Sequence, residues 1–336
     1  MKLIKEIKKN TIFLLLITLV VLFVIFKDSY HDIINTLASM NKVYILIAVF
    51  FFFLSIFIKS IANYIIINDD NKMSLKECFK HDLIIQFFNG ITPFSTGGQP
   101  MEIYMLTEHN ISGIKATNIS IQNFIFYQTA LVLYGLLAVL YNYIFKLFPK
   151  SPVLSKLVLL GFLINSFVAI VLLCILISKT FTKRIAHFFI DLFSKIRLIK
   201  DKEKTLLNID NKLDEFHESA LMLRKRKGLF LTGIILHFLS LTFAYIIPLI
   251  IVYSINDFTS LTIMEAITCS AYVLLIGAFV PIPGASGGIE FGFLQFYGHF
   301  LSSNVISGVL IAWRFITYYL GIIIGALVFN FEKKVD

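Results

Sequence analysis

Residues 43–67 of the chain read VYILIAVFFFFLSIFIKSIANYIII. This run exceeds the ~20 apolar residues that a helix needs to cross the hydrocarbon core of a bilayer. Five other apolar runs are of similar type, and they cover residues 10–26, 117–146, 153–178, 229–254 and 304–331. The sequence therefore predicts an all-α integral membrane protein with about six full transmembrane helices.

The composition supports a membrane environment. Of the 336 residues, 57% are hydrophobic and only 15% are charged, whereas a soluble domain carries about 25% charged residues. Three cysteines, Cys78, Cys174 and Cys269, lie far apart and match no metal-ligand spacing. We expect residues 1–336 to form a single polytopic membrane domain without a metal or a cofactor.

Lysine and arginine near helix ends indicate which side of the membrane is cytoplasmic. The N-terminus carries Lys2, Lys5, Lys8 and Lys9. We assign four lysines to the loop after the second run, namely Lys59, Lys72, Lys76 and Lys80. Residues 179–228 hold 13 of the 30 lysine and arginine residues. These positions predict a multi-pass plasma-membrane protein with both termini cytoplasmic.

The segment 179–228 separates two apolar halves. Residues 180–200 have the pattern of a basic amphipathic helix that lies on the membrane surface, and residues 203–222 have apolar side chains at helical spacing. We expect a cytoplasmic helical hairpin. The formal net charge of +9 then reflects basic residues near anionic lipid headgroups, and no nucleic-acid partner is needed.

Two further apolar segments, 77–110 and 265–300, are interrupted by similar motifs. Residues 93–98 read PFSTGG and residues 283–288 read PGASGG. By the charge pattern, the chain reaches the first motif from the cytoplasm and the second from outside. Two such segments, re-entrant or built of paired half-helices, are typical of inverted repeats whose broken helices meet near the midplane. Glycine-rich packing kinks are the alternative.

Charged and polar side chains lie close to both motifs. Arg314 falls about ten residues into the last run, where an unpaired arginine is costly, and Glu290 is its expected partner. Helix ends at the breaks are expected to present partial positive charge to anionic groups. We predict a substrate-binding and translocation site made of Glu290, Arg314, Glu102, Gln99, Asn89, Pro93, Gly97, Gly98, Pro283, Gly287 and Gly288. A buried ion pair that only fixes helix register is the alternative.

These residues give the chain a resemblance to the transmembrane region of the lysylphosphatidylglycerol synthase/flippase family. The resemblance covers nearly the whole chain. It rests on Asn89, Pro93, Gly97-Gly98-Gln99-Pro100, Tyr104 and Leu106, on residues 281–290 (PIPGASGGIE), and on Arg314. Many members have Gly-Glu-x-x-Arg where this chain has Gly98-Gln99-Pro100-Met101-Glu102, so the charge pattern at that motif differs.

The resemblance implies a lipid translocase in the plasma membrane. Its substrates would be anionic phospholipids or phospholipids with modified headgroups, aminoacylated ones included, and its activity would contribute to resistance to cationic antimicrobial peptides. The family label also implies a phosphatidylglycerol lysyltransferase, whose chemistry belongs to a soluble C-terminal domain. Because only residues 331–336 follow the last run, we expect no lysine transfer by this chain alone.

Two other functions remain open at this point. A lipid-modifying enzyme would need an acid/base or metal-binding pair, and the adjacent acids Asp69 and Asp70 are better explained as a hydrated turn. A membrane subunit that recruits a separate synthase through residues 179–228 is the third hypothesis. Self-association into a homo-oligomer is also open.

Overall fold

A computed structural model describes residues 30–67, 73–148, 152–196, 199, 201–224, 227–278 and 280–332. Within these ranges the chain is helical, with connecting turns and no strand. The helices are α1 Tyr30–Ser39, α2 Lys42–Ile67, α3 Leu75–Ile91, α4 Gly98–Glu108, α5 Gly113–Phe145, α6 Pro152–Ile177, α7 Lys179–Lys195, α8 Lys202–Arg224, α9 Lys227–Ser254, α10 Ile263–Gly277, α11 Gly288–Tyr297, α12 Ser303–Arg314 and α13 Leu320–Glu332.

Five of the predicted membrane spans are confirmed. Helices α2, α5, α6 and α9 are long and apolar enough to cross a bilayer, and so is the continuous helix from α12 to α13. In that last helix a π-helical turn, Phe315–Tyr319, joins α12 to α13. The first predicted run, residues 10–26, lies outside the described residues, as do Asp69 and Asp70.

Both interrupted segments consist of paired half-helices. Helix α3 begins with a capping box of Ser74 and Glu77, and α10 begins with the same arrangement of Thr262 and Glu265. Each first half-helix is followed by a short 3₁₀ turn that starts at a proline, Pro93–Ser95 or Pro283–Ala285. The two turns contact each other, so the two similar sequence motifs form two similar structures that meet.

The half-helix α3 packs closely on the final helix α13. A Cβ atom placed on Gly325 would overlap the carbonyl oxygen of Leu83 on α3. Small residues let membrane helices approach in this way, where dispersion contacts and hydrogen bonds replace the hydrophobic effect as the force between helices. This close approach fixes the cavity-lining end of α3 relative to the last span.

Gly325→Ala is expected to destabilise the protein, because the backbone oxygen of Leu83 cannot move aside as a side chain could. Overpacking of this kind costs about 1–3 kcal/mol, visible as a lower midpoint of thermal unfolding in detergent. Gly113→Ala is the matched control, since nothing lies within 4 Å of a Cβ atom at Gly113. Equal midpoints for the two variants would contradict the packing.

Helices α7 and α8 form a hairpin held by ion pairs. Lys183 Nζ lies 2.8 Å from Asp214 Oδ1, Lys179 Nζ lies 3.0 Å from the same oxygen, and Lys202 Nζ lies 2.9 Å from Asp191. Hydrogen bonds from Lys183 and Lys179 lower the pKa of Asp214. Lys179 and Lys183 of α7 therefore face an acid of α8, and contact of the other basic residues with lipid headgroups stays a prediction.

The other side of α7 carries exposed apolar side chains, namely Phe188, Phe189, Leu192, Phe193 and Ile196. Because α7 follows the predicted span α6 after a single residue, Ser178, we expect this face to lie at the edge of the membrane. Aromatic side chains on an interfacial helix insert into the acyl-chain boundary. We expect these residues, rather than the lysines, to anchor the hairpin to lipid.

In the Phe188→Trp variant we expect lipids with brominated acyl chains to quench the fluorescence of the new tryptophan and aqueous iodide to leave it unquenched. The reason is that Phe188 is 65% exposed on the apolar face. Glu215→Trp, on the exposed side of α8, should show the reverse. The single native tryptophan, Trp313, gives the same background in both variants. Iodide quenching of both variants without lipid quenching would contradict the anchoring face.

Candidate functional site

A cavity of about 650 Å³ lies inside the helix bundle, between the two breaks. Helices α2, α5, α6 and α9 also contribute to its wall, as do α12 and the π-helical turn of the last span. Five of the predicted site residues line it, namely Asn89, Gly98, Gln99, Glu102 and Arg314. Phe94, Ser95 and Thr96 are exposed and also line it, so the cavity reaches the surface beside the first break.

The expected ion pair between Arg314 and Glu290 is present. Arg314 Nε lies 2.8 Å from Glu290 Oε1, and the two side chains are 5% and 0% exposed. Arg314 Nη2 donates to the carbonyl oxygen of Gly284 at 3.1 Å and to Ser286 Oγ at 3.4 Å. Among the described residues no hydrogen bond engages Nη1. Arg314 lines the cavity while Glu290 lies behind it.

Tyr318 links this ion pair to the first half of the site. The Arg314 guanidinium lies over the Tyr318 ring, 4.3 Å from its centroid, and the Tyr318 hydroxyl donates to the carbonyl oxygen of Gly90 at 3.0 Å. Gly284 has a φ of 62°, and a Cβ atom there would overlap the Tyr318 ring. Tyr318 belongs to the π-helical turn, a feature often found at functional sites.

Side chains accept hydrogen bonds from some of the backbone amides at both breaks. The Gly98 amide donates to Asn89 Oδ1 at 2.9 Å, and the Gly97 amide donates to Thr92 Oγ1 at 2.8 Å. At the second break the Gly287 amide donates to Glu290 Oε2 at 2.6 Å. These three amides are therefore engaged within the protein, and the binding of anions by the helix ends stays a prediction. Charged side chains bring further positive charge to the cavity.

One such charge was misplaced by the sequence reading. Lys59 was assigned to a loop, but it lies within α2, eight residues before the helix ends at Ile67, or about 12 Å along its axis. Its ammonium lines the cavity and lies 2.9 Å from Asp82 Oδ1. Asn63 Nδ2 donates to both Asp82 oxygens at 2.9 Å.

Glu102 occupies a different environment from the paired acids. Its Oε2 accepts a hydrogen bond from Ser120 Oγ at 2.6 Å, and its Oε1 accepts one from Asn123 Nδ2 at 2.7 Å. Both partners are neutral side chains of α5. No lysine, arginine or histidine of the described residues forms an ion pair with it. Glu102 is thus the unpaired carboxylate of the cavity.

The remaining predicted residues build the breaks rather than the cavity wall. These are Pro93, Gly97, Pro283, Gly287 and Gly288. Polar side chains that the sequence placed near the site do line the cavity, namely Gln86, Asn123, Gln128 and His237. In the described part of the chain no three His, Cys, Asp or Glu side chains are grouped to hold a metal ion.

The site can therefore bind a polar group that carries charge. Arg314 and Lys59 offer donors to an anion, Glu102 offers an acceptor to a cation, and the amides of Asn89 and Gln99 can serve either. Apolar side chains such as Phe124 and Ile164 also line the cavity.

Comparison with known proteins agrees with this architecture. The family model described as the lysylphosphatidylglycerol synthase TM region matches residues 11–325. A UPF0104 membrane protein of Archaeoglobus fulgidus is 24% identical over 282 residues, which span 78% of this chain and 79% of that protein. The family match includes both broken segments, the cavity between them and the Arg314–Glu290 pair. The chain therefore belongs to the lysylphosphatidylglycerol synthase TM region family.

Proposed function

We propose that this protein is a flippase-like lipid translocase, which moves phospholipid headgroups through the cavity while the acyl chains stay in the bilayer. The observation that carries the proposal is Arg314, a buried arginine that lines a cavity at the meeting point of two broken helices. Charged side chains within spans mark substrate pathways because their burial is costly.

The size of the cavity suits a headgroup rather than a whole lipid. At about 650 Å³ it falls within the range of ~300–1,000 Å³ that is typical of sites for drug-sized ligands. The surface opening beside Phe94 and Thr96 would let a headgroup enter. Acyl chains gain nothing by entering the polar site, since they are already in an apolar solvent.

Arg314 is the proposed contact for the lipid phosphate. A guanidinium presents five donors in a fixed fork and binds phosphate bidentately. Glu290, Gly284 and Ser286 hold Nε and Nη2 in place, and Nη1 has no hydrogen bond among the described residues. We propose that Nη1 supplies donors to the phosphate. Lys59 provides a second cationic contact across the cavity. Gln99, Asn89 and Glu102 would bind the remaining polar groups of the headgroup, modified or aminoacylated ones included.

The proposal extends to location. We place the protein in the plasma membrane with both termini in the cytoplasm, following the distribution of lysine and arginine. Movement of positively charged lipids to the outer leaflet would reduce the attraction of cationic antimicrobial peptides, and so contribute to resistance.

A leaflet assay tests the proposal. Purified protein in vesicles is given lipids with a fluorescent headgroup, and an impermeant reductant reports how fast inner-leaflet lipid becomes accessible. Ala244 on α9 lines the cavity, so the larger side chain of Ala244→Trp would fill part of it. We expect translocation to slow about tenfold, which corresponds to a loss of about 1.4 kcal/mol in the free energy of headgroup binding.

The control adds the same side chain elsewhere. Leu137 on α5 is exposed and lies outside the cavity wall, so Leu137→Trp should translocate lipid at the wild-type rate. Wild-type vesicles that expose lipid no faster than empty vesicles would refute the function. Equally slow translocation in Ala244→Trp and Leu137→Trp would refute passage of headgroups through the cavity.

A further inference from the structure

Glu102 has no assigned role in the chemistry above beyond contact with a headgroup, yet its charge is unusual. Three carboxylates and two cations line the cavity or lie directly behind its wall among the described residues, namely Asp82, Glu102, Glu290, Lys59 and Arg314. Lys59 is engaged with Asp82 and Arg314 with Glu290. One negative charge is therefore in excess, and it belongs to Glu102.

An excess charge in a low-dielectric site is unfavourable unless a counter-charge reaches it. The titratable and charged groups around Glu102 are Asp82 from α3, Tyr127 from α5, Lys59 from α2 and His237 from α9. None of them forms an ion pair with Glu102. His237 is buried, and its Nε2 has no hydrogen-bond partner among the described residues. A proton is the smallest cation that can neutralise Glu102 in place.

The two hydrogen-bond partners of Glu102 suit both of its charge states. Ser120 is a hydroxyl, so it can donate to the carboxylate or accept from a protonated carboxyl group. Asn123 can continue to donate to the other oxygen. Its Oδ1 is buried without a partner among the described residues, so rotation of the amide would offer a second acceptor. Neither state requires a backbone movement.

We propose that Glu102 binds and releases a proton in each transport cycle, so that a transmembrane proton gradient drives lipid movement. The proposal rests on the translocase function. In the binding step a hydronium ion from one side of the membrane gives its proton to Oε2, which leaves water and raises the charge of the site by one. In the release step the O–H bond breaks and the proton passes to water on the other side. No electrons are transferred.

The stoichiometry sets a measurable limit. If one proton moves per lipid, a gradient of one pH unit supplies the free energy of a tenfold concentration ratio. Wild-type vesicles with such a gradient should therefore build up about a tenfold ratio of labelled lipid between leaflets. Glu102→Gln cannot titrate, and it should build no gradient-dependent ratio. Glu108→Gln, at the exposed end of the same helix α4, should behave as wild type.

Infrared difference spectroscopy tests the proton site without transport. Acidification of wild-type protein in lipid should produce the C=O stretch of protonated carboxyl groups. Subtraction of the Glu102→Gln spectrum from the wild-type spectrum should leave the band of one carboxyl group. Identical bands in wild type and Glu102→Gln overturn the proton site. Lipid movement that is indifferent to the gradient overturns the coupling and leaves the translocase function standing. Absence of all lipid movement refutes the function, and the infrared band still decides the site.

Discussion

Arg314→Ala is expected to reduce lipid translocation to the level of empty vesicles and to destabilise the fold. The substitution removes the proposed phosphate contact and leaves Glu290 buried without its counter-ion. Loss of one partner of a buried ion pair costs about 3–5 kcal/mol. The Gly284 carbonyl and Ser286 hydroxyl would also lose their donor. Leaflet assays and thermal unfolding in detergent measure the two effects.

A double variant separates function from stability. In Glu290→Gln with Arg314→Gln, both charges are gone and the two amides can hydrogen bond, so we expect a midpoint of unfolding close to that of wild type and no translocation. Arg184→Gln is the control, since Arg184 is an exposed arginine of α7, and it should translocate normally. If the folded double variant moves lipid at the wild-type rate, Arg314 is a structural residue and the proposed site is wrong.

The second large effect is expected at Asp82. This carboxylate is buried, and it holds Lys59 through an ion pair and Asn63 through two hydrogen bonds. Asp82→Ala leaves an ammonium, only 29% exposed, without a counter-ion in the wall of the cavity. We expect a loss of about 3–5 kcal/mol, seen as a lower unfolding midpoint and a lower yield of folded protein.

Removal of both charges of the Asp82–Lys59 pair is the matched control for Asp82→Ala. Replacement of a buried ion pair by apolar residues of similar volume is often neutral or stabilising, so Asp82→Leu with Lys59→Met should recover most of the lost stability. The recovered protein then reports how much Lys59 contributes to translocation. A single variant as stable as wild type, or a double variant no better than the single one, would show that the pair is not buried as described.

The membrane spans were predictable because their signal is local. About twenty consecutive apolar residues imply a spanning helix whatever its neighbours are, and five spans agree to within a few residues. The two breaks were also predictable, since Pro93 and Pro283 cannot donate the hydrogen bond that a helix interior needs. The pairing of Arg314 with Glu290 followed from the cost of an isolated arginine at that depth.

The sequence could not show which side chains satisfy the breaks. Asn89 and Thr92 bond the amides of Gly98 and Gly97 across the turn, a contact that depends on the angle at which α4 leaves α3. The count of basic residues places Lys59 in a cytoplasmic loop, whereas it lies within α2. Its partner Asp82 lies in a different helix, and nothing in either local sequence joins them. The only sequence signal for this ion pair was that Lys59 and Asp82 both lie inside apolar segments.

The function is harder to predict from the sequence than the fold or the site. Two capping boxes, at Ser74 and Thr262, mark where the half-helices begin, and a reading of S/T-x-x-E would have found them. Neither they nor the breaks specify a substrate. The substrate depends on the charges that reach the cavity, and Arg314 lies more than two hundred residues after Lys59 and Glu102 in the sequence.

Photo-crosslinking tests the central claim, that headgroups enter the cavity, most directly. Benzoylphenylalanine replaces either Phe124, which lines the cavity, or Phe167, which is exposed on α6 outside the cavity wall, and mass spectrometry of the adducts identifies the lipid atoms captured. We predict capture through the headgroup at position 124 and through the acyl chains at position 167. Lipid captured only at position 167, or only acyl-chain adducts at both positions, would contradict the account.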